Sequence, residues 1–129
     1  MKNMIKMSLL ALLIAVVSCK PSTHTFDSVP ADAFSEVINQ AGVQILDVRT
    51  VGEYEEGHIT NSINIDVTAD GFLEKVNTLL DKHNTVALYC RSGRRSKKAA
   101  EQLVNEGYKV VELAGGYNEW KASGRAVAE

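Results

Sequence analysis

The feature that most limits the fold is a short apolar run, Val86-Ala87-Leu88-Tyr89, that passes directly into Cys90-Arg91-Ser92-Gly93-Arg94-Arg95. Beyond it, Ala99, Ala100, Leu103 and Val104 recur at three- and four-residue spacing. A continuous apolar run of this length reads as a buried strand, and the spacing after it is that of a helix. Strand, tight loop and helix are therefore expected in direct succession. A cysteine at such a junction sits where unpaired amide N–H groups converge and the helix dipole is positive. That setting stabilises a thiolate or a bound anion.

Five cations, Arg91, Arg94, Arg95, Lys97 and Lys98, stand between positions 91 and 98 with no acid among them, although the formal net charge is −2. Cations in the first turn of a helix oppose its dipole by about 0.3–1 kcal/mol each. Something negative is expected to offset them. A basic surface helix around a structural cysteine explains neither the position of Cys90 nor the glycine inside the loop. The overall charge and ordinary composition suggest no nucleic-acid partner.

The chain opens with Lys2 and Lys6, an apolar stretch from Met7 to Val17, and then Ser18-Cys19. Eleven residues are too few for a bilayer, which needs about 20 in helical form. Residues 1–18 therefore read as a secretory signal peptide. Val16-Val17-Ser18-Cys19 resembles the lipobox of bacterial lipoproteins, with valine where leucine is usual. The resemblance implies that Cys19 is lipidated and anchors the protein in a membrane, facing the periplasm or the exterior. Ordinary cleavage with release into the periplasm or medium, and an uncleaved anchor, stay open. Residues 19–25 would then be the lipidated cysteine and a polar tether, and residues 26–129 one domain. With Cys19 consumed, Cys90 is the single cysteine of the mature domain, and no internal disulfide can form.

Within the domain, a short extended piece spans Phe26 to Val29, and Pro30 opens a helix expected to end near Gly42. Val43 to Val48 is rich in β-branched residues and reads as a central strand. A short acidic helix over Thr50 to Glu56 stops at Gly57, and Ile63-Asn64-Ile65 is a brief strand. Asp70 is expected to cap a helix with the apolar stripe Phe72, Leu73, Val76, Leu79 and Leu80. Gly107 ends the helix after the cysteine loop. Lys109 to Leu113 reads as the last strand, leading through Gly115-Gly116 into a terminal helix with Tyr117 and Trp120. Alternation of strands and helices implies an α/β fold, with a mainly parallel sheet covered on both faces. Ligands in such sheets bind beyond the carboxyl ends of the strands, where Cys90 lies.

Leu46-Asp47-Val48-Arg49, then Glu53-Tyr54, Gly57-His58-Ile59 and Asn61 to Ile65, is similar to the N-terminal signature of rhodanese-like domains. The loop C-R-S-G-R-R-S resembles their active-site loop, and Leu113 to Tyr117 with Trp120 resembles their C-terminal signature. The resemblance implies a rhodanese-like fold and a sulfurtransferase. Cys90 would take sulfur from a small anionic donor such as thiosulfate and pass it from a persulfide to cyanide or a thiol. The amides of Arg91 to Arg95, the guanidinium groups and Ser96 would hold the persulfide and the departing sulfite. Neither a metal nor a cofactor is expected.

Cysteine-dependent phosphatases usually place five residues between the cysteine and an arginine that grips phosphate. Here only four separate Cys90 from Arg95, and the arginine position is Ser96. The shorter loop favours sulfur over phosphate or arsenate. A protein-partner persulfide carrier with little thiosulfate activity and a regulatory binding module also stay open. Asp47 and Arg49 would either support the loop or form an internal ion pair. His58 is expected to be structural, His24 and His83 lack metal-ligand spacing, Trp120 reads as packing, and Glu53, Glu55 and Glu56 read as a solvated face. Gly115 and Gly116 are expected to permit a close turn beneath the loop.

Overall fold

In the computed structural model, which describes residues 25–129, the run Val86–Tyr89 is a strand with every side chain buried. Cys19, the apolar leader and His24 lie outside the described residues. The chain order is β1 (Asp27–Val29), α1 (Ala31–Ile38), β2 (Gln44–Asp47), α2 (Val51–Glu56), β3 (His58–Ile59), β4 (Ile63–Asn64), α3 (Phe72–Leu79), β5 (Val86–Tyr89), α4 (Arg94–Asn105), β6 (Val110–Leu113), α5 (Gly116–Ala122) and β7 (Val127–Ala128). Five strands form one sheet in the order β1-β6-β5-β2-β4, and every pair in it is parallel. β5 is therefore the central strand.

Side chains alternate across a strand, which divides the core into two layers. Val86, Leu88 and Cys90 fall on one face with Leu46, Val48 and Val110, beneath α3 and α4. Ala87 and Tyr89 fall on the other with Ile45, Val111 and Leu113, beneath α1 and α5. Cys90 continues the alternation of β5 and so faces α4. That helix buries Ala99, Ala100, Leu103 and Val104. Burial of a large aliphatic side chain contributes about 1.5–3 kcal/mol, which outweighs the dipole cost of each basic residue in its first turn. Packing, not its own end charges, holds α4.

Four expectations are corrected. α1 ends at Ile38 with Asn39 as its C-cap, because Gln40 N–H closes the last turn on Val37 O at 3.1 Å, and Gly42 lies in the turn beyond. Asp70 does not cap α3; the N-cap is Gly71, in the left-handed region at φ 75°, with no side-chain cap. Leu79 is 61 % exposed, because α3 ends there and the extended chain at Leu80 turns the next side chain inward. Nor is β6 the last strand: β7 pairs antiparallel with β3, His58 opposite Ala128 and Ile59 opposite Val127.

Tyr89 joins the sheet to this small second sheet. Its buried hydroxyl accepts the Ile59 N–H at 2.9 Å and lies 3.1 Å from Ser62 Oγ. Burial, and then the charge of Asp47, push its ionisation well above the ordinary value, so the hydroxyl stays neutral. In Tyr89→Phe the buried Ile59 N–H loses its acceptor, an omission that costs about 1–3 kcal/mol. Thermal unfolding followed by circular dichroism is expected to show a melting temperature lowered by about 4–8 °C per kcal/mol.

Candidate active site

The loop after β5 is shaped from outside. Tyr117 N–H donates to Cys90 O at 2.8 Å and Asn118 N–H to Arg91 O at 3.0 Å. A trans peptide unit directs its N–H opposite to its carbonyl. With two loop carbonyls held by the first turn of α5, the amides of the same units are turned to the inner side of the loop. Gly93 N–H reaches Cys90 Sγ at 3.0 Å, and Ser96 Oγ lies 3.3 Å from the same sulfur.

Two glycines make this approach possible. Gly116, at φ 64°, lies so close to the loop that a Cβ would come within 2.6 Å of Arg91 C and O. Gly93, at φ 100°, would drive a Cβ into Ala114 O. The expected close turn beneath the loop is thus made by Gly116.

Cys90 is 1 % exposed and packs at the edge of the α3/α4 layer. Burial raises the ionisation of its thiol, but the Ser96 hydroxyl and the amides of Ser96, Gly93 and Ser92 outweigh it, and the net direction is downward. The sulfur is both packed and supplied with donors.

The cations around the loop divide into three groups. Arg95 binds Glu53 through both guanidinium nitrogens, at 2.6 and 2.9 Å. Glu53 also closes a capping box with Thr50 at the start of α2. Hence Glu53 is no member of a merely solvated face, and the Arg95 guanidinium is committed to a carboxylate. Lys97 Nζ lies 3.1 Å from Gly93 O and 3.2 Å from Glu112 Oε2. Arg91 and Arg94 are exposed, available to an approaching anion.

Glu112 belongs to the site although no motif marks it. Its side chain is fully buried in β6, where it accepts hydrogen bonds from Ser28 Oγ and Ser96 Oγ, each at 2.5 Å. Part of the negative charge expected to offset the basic segment is supplied by Glu112, beside Lys97, and Glu53, beside Arg95. A lone carboxylate inside an otherwise apolar strand is the one signal of it in the sequence.

Asp47 and Arg49 form an internal ion pair, Nη2 to Oδ2 at 2.6 Å, and both are buried. Arg49 also donates to Gly57 O at 2.7 Å and lies over the Tyr117 ring at 4.2 Å. The pair thus ties the end of β2 to α5 and reaches the loop only indirectly. His58 donates from Nδ1 to Tyr54 O at 2.8 Å and stacks on the Tyr54 ring. Trp120 packs edge-on against Phe34 and donates to Ala126 O. His83 is exposed beside Asp81. Among the described residues no group of three or more His, Cys, Asp and Glu side chains is placed to hold a metal. A groove of about 370 Å³ opens beside Arg91, between Gly57, Tyr117 and Lys121; Cys90 does not line it.

A parallel α/β sheet with a buried cysteine at the carboxyl end of its central strand, ringed by amides, defines a cysteine-loop domain. Residues 30–123 match the rhodanese-like domain model, and the chain belongs to that family. It is 35 % identical over 88 residues to the thiosulfate sulfurtransferase GlpE of Coxiella burnetii, covering 67 % of this chain and 79 % of that protein. Thiosulfate sulfurtransferase 18 of Arabidopsis thaliana is 35 % identical over 116 residues, covering 80 % of this chain and 85 % of its own. Among solved structures, a rhodanese-related protein from Thermoplasma volcanium superposes with a TM-score of 0.70 at 32 % identity, covering 80 % of this chain and 98 % of that one.

The Arg95 hydrogen bonds hold Glu53 down to about 2, more than offsetting its partial burial. A carboxylate lowered on folding stabilises the folded state fully above its ordinary value of 4.5 and loses that contribution as pH falls toward 2. Glu53→Gln is therefore expected to be less stable than wild type at neutral pH, by about 1 kcal/mol for a partly exposed pair. Urea unfolding at a series of pH values checks it: the difference should close between pH 4.5 and 2.

Proposed function

We propose that this protein is a sulfurtransferase that moves sulfane sulfur from a thiosulfate-like donor to cyanide or a thiol through a Cys90 persulfide. The observation that carries the reading is the Cys90 sulfur held among inward-turned amides, with Gly93 N–H at 3.0 Å. The Cys90 thiolate attacks the outer sulfur of thiosulfate. A sulfur–sulfur bond forms on Cys90, the donor's sulfur–sulfur bond breaks, and its electron pair leaves with sulfite. The acceptor then attacks the outer persulfide sulfur. That sulfur departs as thiocyanate or as a new persulfide, and the electron pair of the broken bond restores the Cys90 thiolate.

A lowered thiol ionisation supplies the nucleophile without a separate base. The amides of Arg91 to Arg95 and the Ser96 hydroxyl stabilise the anionic persulfide where its charge resides, while Arg91 and Arg94 draw in the anionic donor. The similarity to two proteins named thiosulfate sulfurtransferases supports the donor class. The commitment of Arg95 to Glu53 leaves it unavailable as a phosphate clamp, which weighs against phosphatase or arsenate reductase chemistry.

Purified protein incubated with thiosulfate is expected to gain one sulfur atom on Cys90 by intact mass spectrometry and to yield thiocyanate with cyanide. Neither product would appear if the reading were wrong. Cys90→Ser is expected to reduce turnover to background while the melting temperature stays nearly unchanged.

From Val16-Val17-Ser18-Cys19 we further propose that the domain lies outside the cytoplasmic membrane, held by lipid on Cys19, with a soluble periplasmic form as the alternative. Mass spectrometry of the membrane fraction is expected to find acyl groups on Cys19. A mature chain that begins elsewhere and lacks acyl groups would remove the anchor.

A further inference from the structure

Glu112 lies on the α4 face of β6, opposite Leu88 in the sheet register and flanked by Val111 and Leu113. Its side chain is 0 % exposed. A carboxylate in such surroundings is strongly disfavoured unless hydrogen bonds compensate for lost water. Three donors do so: Ser28 Oγ on Oε1, and Ser96 Oγ and Lys97 Nζ on Oε2. An aliphatic residue would continue the core at this position, with Val110 on the same face, and would need no such arrangement.

Ser96 stands between two acids. Its Oγ is 2.5 Å from Glu112 Oε2 and 3.3 Å from Cys90 Sγ, and a hydroxyl has a single proton to donate. While that proton is given to Glu112, Ser96 turns only a lone pair toward the sulfur, which favours the protonated thiol over the thiolate. An ionised sulfur has nothing to donate. Turning the Ser96 proton toward Cys90 then gives the thiolate a donor besides the Gly93 amide, and leaves Glu112 with Ser28 and Lys97.

We propose that Glu112 is a positioning residue: it competes with Cys90 for the one Ser96 hydroxyl proton and thereby sets how readily the catalytic sulfur ionises. Ser28 and Lys97 hold the carboxylate when Ser96 turns away. The charged groups near this network are few. Lys97 borders Glu112 from α4, Arg95, itself facing Glu53 and Asp66, is a cation whose field reaches Cys90, and Arg91 and Arg94 stand exposed on the same loop. The residues that share the core layer of Cys90 just after β2, in α3 and in the body of α4 are apolar: Val48, Phe72, Val76, Ala99 and Leu103. No step is added to sulfur transfer; the competition regulates the site whose role is proposed above, and the inference rests on that role.

The test reads thiol ionisation and not turnover. The rate of Cys90 alkylation by iodoacetamide is measured against pH in wild type, Glu112→Gln, Ser96→Ala and the double variant. Glu112→Gln removes the competing anion, so the midpoint is expected to fall by about one pH unit, which makes alkylation about tenfold faster below it. Ser96→Ala is expected to raise the midpoint, and most of the Glu112→Gln effect should vanish in the Ser96→Ala background. An unmoved midpoint in Glu112→Gln, or an equal fall with and without Ser96, overturns the proposal.

Should Glu112→Gln fail to fold, infrared difference spectra of wild type with ¹³C-glutamate carry the test. A glutamate carboxylate band is expected to shift through the thiol midpoint and to stay fixed in Cys90→Ala. No shift in wild type overturns the proposal. Intact alkylation shifts without thiosulfate turnover would sink the sulfurtransferase reading alone, and turnover without the shifts would sink this inference alone.

Discussion

Two backbone hydrogen bonds, from Tyr117 N–H to Cys90 O and from Asn118 N–H to Arg91 O, decide what the rest of this domain can do. They occupy the carbonyls on the outer side of the loop, and peptide planarity turns the corresponding amides inward. Against the burial of a sulfur only 1 % exposed, its ionisation is lowered first by the Ser96 hydroxyl and amide and by the Gly93 amide, and the Ser92 amide turned inward by that inversion adds to them. Without inward donors, burial alone would drive the thiol the other way.

Around that ring, charge is placed by tertiary contacts and not by local pattern. The first turn of α4 is basic, contrary to helix-dipole preference. It is tolerated because Glu53 reaches it from α2 and Glu112 from β6. One acid is at the rim and one is under the floor, so the loop lies between opposite charges on two sides. Asp47 and Arg49 serve the frame in a comparable way, neutralising each other while Arg49 stacks on Tyr117, the residue whose amide holds the loop.

The strand, loop and helix around Cys90 were legible in the sequence because each depends on local periodicity, and so was the parallel character of the sheet. The misplaced elements depend on distant partners or on backbone angles. Asp70 has the chemistry of a cap but Gly71 has the required conformation. β7 is two residues long in a stretch with no strand pattern, and exists because β3 is there to pair with it. Glu53 looked solvated beside Glu55 and Glu56, since its partner Arg95 is 42 positions away. Glu112 meets Ser96 across 16 positions, only after β6 has aligned with β5. The three matching signatures supplied the family; they did not contain the pairing of these acids.

Because the ring is fastened through main-chain atoms, the exposed side chains at Arg91, Ser92 and Arg94 are released from structural duty. The glycines at 93 and 116 have no such latitude, since any Cβ there meets backbone. Divergence in this scaffold therefore has a natural division of labour. Side chains on the rim can be rewritten residue by residue while the backbone ring around Cys90 keeps its shape.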